Sequence, residues 1–200
     1  IVFESDRNGR KHIWLLAPVA PGTEPVALTS GEWDAGSPAW SPDGSRIVFE
    51  SNRDRTGGTD LWVMPVGGGD AVRLTETDPG SYNRCADWSP DGGELVFESN
   101  RDGGEVALYT MNAFGGKPVR ITSTAGYKGH PAWSPDGERI AFEAWLDGAM
   151  EICTVQAEGG TKSVLTTRGG YWPRWTPDGK AIVYGAYGNG EPNLWRIVVD

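Results

Sequence analysis

The chain has 200 residues, of which 29 are glycine and 14 proline, about a fifth of the total and too much backbone punctuation for a helical protein. Its 10 tryptophans, 6 tyrosines and 5 phenylalanines are too many large anchors for a disordered one. A net charge of −9 argues against a nucleic-acid partner, no apolar run approaches the roughly 20 residues that span a membrane, and two cysteines make neither a disulfide framework nor a zinc site.

The chain opens on an apolar run, Ile1-Val2-Phe3, followed by Ile13-Trp14 and then Leu28-Thr29. From Trp40 the same series recurs with a new element in front: Trp40-Ser41-Pro42-Asp43-Gly44 leads to Ile47-Val48-Phe49, Leu61-Trp62 and Leu74-Thr75. Trp88-Ser89-Pro90-Asp91-Gly92 leads to Leu95-Val96-Phe97, Leu108-Tyr109 and Ile121-Thr122. Trp133-Ser134-Pro135-Asp136-Gly137 leads to Ile140-Ala141-Phe142, Ile152-Cys153 and Leu165-Thr166. Last, Trp175-Thr176-Pro177-Asp178-Gly179 leads to Ile182-Val183-Tyr184 and Leu194-Trp195. Successive tetrapeptides stand 48, 45 and 42 residues apart.

Each unit predicts four short strands, A to D, joined by turns at regular spacing. Proline presets the first central angle of a type I turn, and glycine accepts its left-handed exit. Four antiparallel strands every 40–45 residues or so point to an all-β fold, a β-propeller with four-stranded antiparallel blades. Five units are expected, over residues 1–29, 37–75, 85–122, 130–166 and 172–200, forming one domain. The first lacks strand A and the last stops after strand C, so an excerpt of a larger ring is expected, with an exposed edge open to self-association. Tryptophans 14, 40, 62, 88, 133, 175 and 195 recur in frame and are expected to fill the space between blades.

The series Trp-Ser-Pro-Asp-Gly, Ile-Val-Phe-Glu-Ser-Asn-Arg-Asp, Leu-Trp-Val-Met and Arg-Leu-Thr resembles the TolB-type propeller repeat, the WD40-like family also called PD40. The resemblance is sharpest from Ser37 to Thr75 and from Cys85 to Thr122, and weakens at Glu143-Ala144-Trp145-Leu146 and Tyr184-Gly185-Ala186-Tyr187. Similar propellers serve as periplasmic interaction proteins, as substrate-gating domains of prolyl-oligopeptidase-type serine peptidases and as carbohydrate-active enzymes. The resemblance therefore implies a fold and a periplasmic or otherwise exported location more firmly than an activity.

The chain contains neither a Gly-x-Ser-x-Gly nucleophile elbow nor a His-Glu-x-x-His motif. Its two histidines are His12, before a C strand, and His130, before an A strand, at the position held by Ser37, Cys85 and Trp172 in other units. A histidine site needs convergent partners, which the spacing does not supply, so no metal, cofactor or catalytic residue is expected. Glu4, Glu50, Glu98 and Glu143 recur at the end of strand B, with Arg7, Arg53 and Arg101 three residues on, and are expected to be structural, the arginines as their partners. Cys85 and Cys153 are expected to be free, mostly buried thiols.

Eight aromatics fall out of frame: Trp33, Tyr82, Phe114, Tyr127, Trp145, Tyr171, Trp172 and Tyr187. In an antiparallel meander, the D-to-A and B-to-C loops emerge at one end and the A-to-B and C-to-D turns at the other. All but Phe114 then fall on the first end. Aromatic and arginine side chains sharing one face are what binding hot spots are built from. The expected binding residues are Trp33, Asp34, Tyr82, Arg84, Tyr127, Lys128, His130, Tyr171, Trp172 and Arg174. A protein or peptide is the expected partner and a small glycan the alternative, with no nucleic acid and no membrane insertion.

Overall fold

The computed structural model describes residues 1–17, 22–54, 57–123, 125–188 and 191–199. Turn chemistry sets the strand pattern within them. The Ser41 hydroxyl donates to Asp43 Oδ1 (2.6 Å) and accepts from the Arg46 N–H (2.9 Å), while Gly44, at φ +69°, donates its N–H to the Ser41 carbonyl (2.9 Å). Ser89 and Ser134 make the same pair of bonds, and Thr176 makes them with Asp178 (2.6 Å) and the Ala181 N–H (3.1 Å). The donors, Ser41 first, hold the Asp43 carboxyl down at about 2.

These turns divide the described residues into eighteen strands in five antiparallel sheets, the β-propeller read from the repeat. The first sheet is β1 (Val2–Ser5), β2 (His12–Leu15) and β3 (Val26–Ala27). The second is β4 (Ala35–Trp40), β5 (Arg46–Ser51), β6 (Asp60–Pro65) and β7 (Val72–Arg73). The third is β8 (Asn83–Trp88), β9 (Glu94–Ser99), β10 (Ala107–Asn112) and β11 (Val119–Arg120). The fourth is β12 (Lys128–Trp133), β13 (Arg139–Leu146), β14 (Ala149–Gln156) and β15 (Ser163–Val164). The fifth is β16 (Tyr171–Trp175), β17 (Ala181–Gly188) and β18 (Glu191–Val198). No helix of the described residues is long and apolar enough to cross a membrane.

Register places B-strand and C-strand rings opposite one another: Phe3 on Trp14, Phe49 on Trp62, Phe97 on Tyr109 and Tyr184 on Trp195. D strands are only two residues long, and the Leu-Thr or Ile-Thr pair expected within them follows instead. There the threonine hydroxyl replaces a ladder acceptor. Thr29, Thr75, Thr122 and Thr166 accept the N–H of Ile13, Leu61, Leu108 and Ile152 at 2.8–3.0 Å.

The A strands of neighbouring blades lie against each other, β4 on β8, β8 on β12 and β12 on β16, which puts them at the hub. Two tryptophans bond across these joints, whereas Trp40, expected to do the same work, is exposed. Trp88 and Trp175 donate their indole N–H to the Ala39 and Ala132 carbonyls of the preceding blade (3.2 and 3.1 Å). The C-strand ring of β18 differs, since Trp195 is exposed, as is its neighbour Leu194.

The repeating arginines correct the expectation set for them. They do not pair with the B-strand glutamates. Arg7, Arg53 and Arg101 lie over the C-strand rings of Trp14, Trp62 and Tyr109, 4.6–5.0 Å from their centroids, where each guanidinium caps the ring electrostatically. Both cysteines are free, Cys153 buried and Cys85 half-buried.

Candidate functional site

Every A strand breaks register once, between Gly36 and Ala39, Arg84 and Asp87, Gly129 and Ala132, and Tyr171 and Arg174. Within each break one residue takes a left-handed backbone: Ser37 (φ 48°), Cys85 (51°), His130 (47°) and Trp172 (53°). Such a conformation costs an L-residue about 1–3 kcal/mol and persists only where its surroundings enforce it. The enforcing group is the glutamate at the end of the preceding B strand. The bulge N–H donates to it in every case: Ser37 to Glu4 (3.0 Å), Cys85 to Glu50 (3.1 Å), His130 to Glu98 (3.2 Å) and Trp172 to Glu143 (2.9 Å). The in-frame glutamates are thus blade-to-blade latches around the hub.

Two of these latches are crowded. The Tyr127 hydroxyl lies between Glu98 Oε2 (3.2 Å) and Glu143 Oε1 (3.3 Å), and His130 Nδ1 is 2.8 Å from Glu143 Oε1. Burial pushes the Glu98 carboxyl above its ordinary value, outweighing the His130 charge and N–H that pull it down. For His130, burial acts to lower the imidazole, but the Glu143 hydrogen bond and the Glu143 and Glu98 charges prevail and raise it. Burial, then the Glu98 and Glu143 charges, push the Tyr127 hydroxyl far up, so it stays a hydrogen-bond donor. Ligand-type atoms of Cys85, Glu98 and His130 all fall within 4.8 Å of one another.

The binding residues expected from the sequence fall into three groups. His130, Tyr171 and Trp172 come together with Tyr187, ring centroids 6.0–6.2 Å apart, and Trp172 and Tyr187 are 63 % and 66 % exposed. Trp33, Tyr82 and Arg84 line a separate cleft of about 330 Å³ with Asn52, in which Arg84 lies 4.4 Å over the Tyr82 ring. Asp34 stands near it, accepting the Lys11 N–H (3.2 Å) and facing Arg10 (3.7 Å).

Three residues are engaged by the chain itself, Lys128 and Tyr127 inside it and Arg174 on its exposed surface. Lys128 is 1 % exposed, and its ammonium donates to the Ala125 and Gly126 carbonyls (2.9 and 2.7 Å), so it braces a loop instead of reaching outward. The Tyr127 hydroxyl is spent on the two glutamates. Arg174 turns one guanidinium nitrogen to the Pro173 carbonyl (3.0 Å).

The common end of the D-to-A and B-to-C loops is visible in their mutual bonds, Trp145 N–H to the Tyr127 carbonyl (3.0 Å) and Gly170 N–H to the Met150 carbonyl (2.7 Å). Phe114, under Arg46 at 4.6 Å, marks the opposite end. That end is less featureless than the short turns suggest. A cleft of about 380 Å³ opens there between Ser89-Pro90-Asp91 and Asp136-Gly137.

Sequence reasoning passed over the convergence of Cys85, Glu98, His130 and Glu143. The signal lay in two in-frame columns, the B-strand glutamates and the Ser37, Cys85, His130 and Trp172 positions. Their pairing across blades shows only once strand B is set beside the next strand A.

Comparison with known proteins agrees with the architecture. Residues 81–200 match the family described as TolB beta propeller domain (PD40), and residues 1–86 match the dipeptidyl peptidase IV N-terminal region. The Tol-Pal system protein TolB of Francisella tularensis subsp. tularensis (strain WY96-3418) is 32 % identical over 75 residues, 38 % of this chain and 17 % of that protein. Among solved structures, TolB from Acinetobacter baumannii superposes with a TM-score of 0.82 at 24 % identity, over 98 % of this chain and 48 % of that one. Oligogalacturonate lyase in complex with manganese superposes with a TM-score of 0.72 at 18 % identity, over 95 % of this chain and 54 % of that one. The chain therefore spans about half the length of these structures and less of the curated relatives.

Proposed function

Because the chain belongs to the TolB β-propeller (PD40) family, we propose that it is a non-catalytic interaction module that takes a protein or peptide on the face carrying the D-to-A and B-to-C loops. The observation that carries this reading is the row Tyr187, Tyr171, Trp172 and His130. These rings pack edge to face or tilted on one another yet leave Trp172 and Tyr187 mostly in solvent. A row of aromatics, held rigid by its own contacts and by a latched backbone, offers large contact area at little cost in side-chain entropy. The relatives named for the Tol-Pal system fit a role in a multi-protein assembly, and the same resemblance supports an exported location.

The test is selection of a phage-displayed peptide library on the immobilised chain. Enriched peptides should bind the Trp172→Ala/Tyr187→Ala double variant at least about tenfold more weakly, the loss of a hot spot. They should bind Phe114→Ala, at the opposite end, as they bind the parent. An equal loss in both variants, or no enrichment, would remove the assignment. Binding to a glycan array in place of peptides would give the same rings to a sugar.

A second reading has its own support. The match of residues 1–86 to the dipeptidyl peptidase IV N-terminal region favours a propeller that gates a serine peptidase. A Gly-x-Ser-x-Gly element in the coding sequence beyond residue 200 would favour it over the first.

A further inference from the structure

We propose that Cys85, Glu98 and His130 form a zinc(II) site at the hub of the propeller. The three donors come from the joint between the third and fourth blades. Cys85 and His130 hold the same bulge position in β8 and β12, and Glu98 stands between them on β9 as the latch of the His130 N–H (3.2 Å). Their ligand-type atoms already lie within 4.8 Å of one another. Ligands of a tetrahedral zinc are about 3.3–3.8 Å apart, given metal distances of about 2.0–2.3 Å, so closure needs roughly an ångström of side-chain movement and no backbone rearrangement.

The donor set chooses the metal. A thiolate and an imidazole with one carboxylate suit zinc, whereas magnesium, calcium and manganese prefer all-oxygen sites. Glu143 supplies the outer support. Its Oε1 is 2.8 Å from His130 Nδ1, and a carboxylate bonded to one imidazole nitrogen orients the ring and makes the other a better ligand.

Charge balance points the same way. Glu50, Glu98 and Glu143 crowd this part of the hub, and a dication is the natural complement. His130 and Cys85 are both only partly buried, which gives an ion a way in, and three protein ligands leave a fourth position for water. At the next joint the equivalent bulge residue is Trp172, which offers no donor. The site therefore belongs to this pair of blades and is not a consequence of the repeat.

The test uses the whole chain, reduced, stripped with EDTA and titrated with cobalt(II) chloride. One cobalt per chain should bind, with a thiolate-to-cobalt charge-transfer band in the near ultraviolet that zinc(II) chloride abolishes. Cys85→Ser should remove the band, and His130→Ser should weaken binding by about tenfold or more. Both variants should fold, since serine is what this fold places at the equivalent bulge, Ser37. Cys153→Ser should keep the band. Absence of the band in the parent, its persistence in Cys85→Ser, or metal uptake unchanged in both Cys85→Ser and His130→Ser would overturn the proposal.

Discussion

Trp172 allows backbone strain and recognition to be measured separately. Its φ of 53° is left-handed, and its N–H is held by Glu143 at 2.9 Å. A Cβ in that region costs roughly 1–2 kcal/mol, whereas glycine enters it freely. Trp172→Ala and Trp172→Gly both delete the indole, and with it the same contacts to Tyr171 and His130 (6.0 and 6.2 Å). The difference between the two variants therefore isolates the backbone. Against the strain relief stands the extra freedom of glycine in the unfolded chain, about 0.4–1 kcal/mol. Glycine should come out ahead by about 1 kcal/mol or slightly less, a melting point about 2–4 °C higher for a chain of this size. At most strand positions the order is the reverse. Urea and thermal unfolding of the two variants provide the assay, and the selected peptides should bind both equally poorly. An alanine variant as stable as the glycine variant, or more so, would show that the latch imposes no strain at the bulge and would undo the account of the glutamates.

Two further outcomes follow from the same geometry. Gly129→Ala should cost about 1–3 kcal/mol in urea unfolding, because its Cβ would enter the space of the Tyr127 hydroxyl and the Glu98 carboxylate, which hold each other in place. Gly36→Ala should cost less, since the Glu4 carboxylate it meets at 2.6 Å is half-exposed, though tied to Lys11 and the Ser37 N–H, and can swing outward. Equal costs would refute this reading. Asp43→Ala should lower stability at pH 7, and the gap to the parent should close on acidification. The folded Asp43 carboxyl sits at about 2, below the unfolded value of about 3.9, so its contribution is present above the unfolded value and is lost as pH falls through the folded one. A gap unchanged between pH 4 and pH 2 in thermal unfolding would refute it.

The fold was legible because each blade repeats its instructions locally. Trp-Ser-Pro-Asp-Gly specifies a turn through hydrogen bonds that span no more than five residues, as between Ser41 and Arg46, and such bonds can be read off a single line of sequence. The D strands stand two residues earlier than the sequence predicts for a related reason. Thr75 reads as the end of a strand, whereas its hydroxyl serves as the acceptor for Leu61, fourteen residues back. The hub was less legible still, because its bonds join residues 29 to 35 positions apart and run from a side chain to a backbone N–H. Nothing in the composition of Glu50 or Cys85 marks them as partners. Lys128 illustrates the limit for single residues. A lysine in a loop reads as a surface charge, and only the curl of its loop reveals that two carbonyls need its ammonium.

The latch also leaves the bulge side chain free to vary. In each blade joint the glutamate binds the backbone N–H of the bulge residue and not its side chain. The strained conformation is therefore secured whatever side chain stands there, and the position is free to be serine, cysteine, histidine or tryptophan in successive blades. Each of these side chains is held at the hub by the same scaffold, one blade apart. A repeat that must stay constant to pack thus leaves one column that need not, and this chain has placed one of its two thiols, the His130 imidazole and its most exposed described indole there.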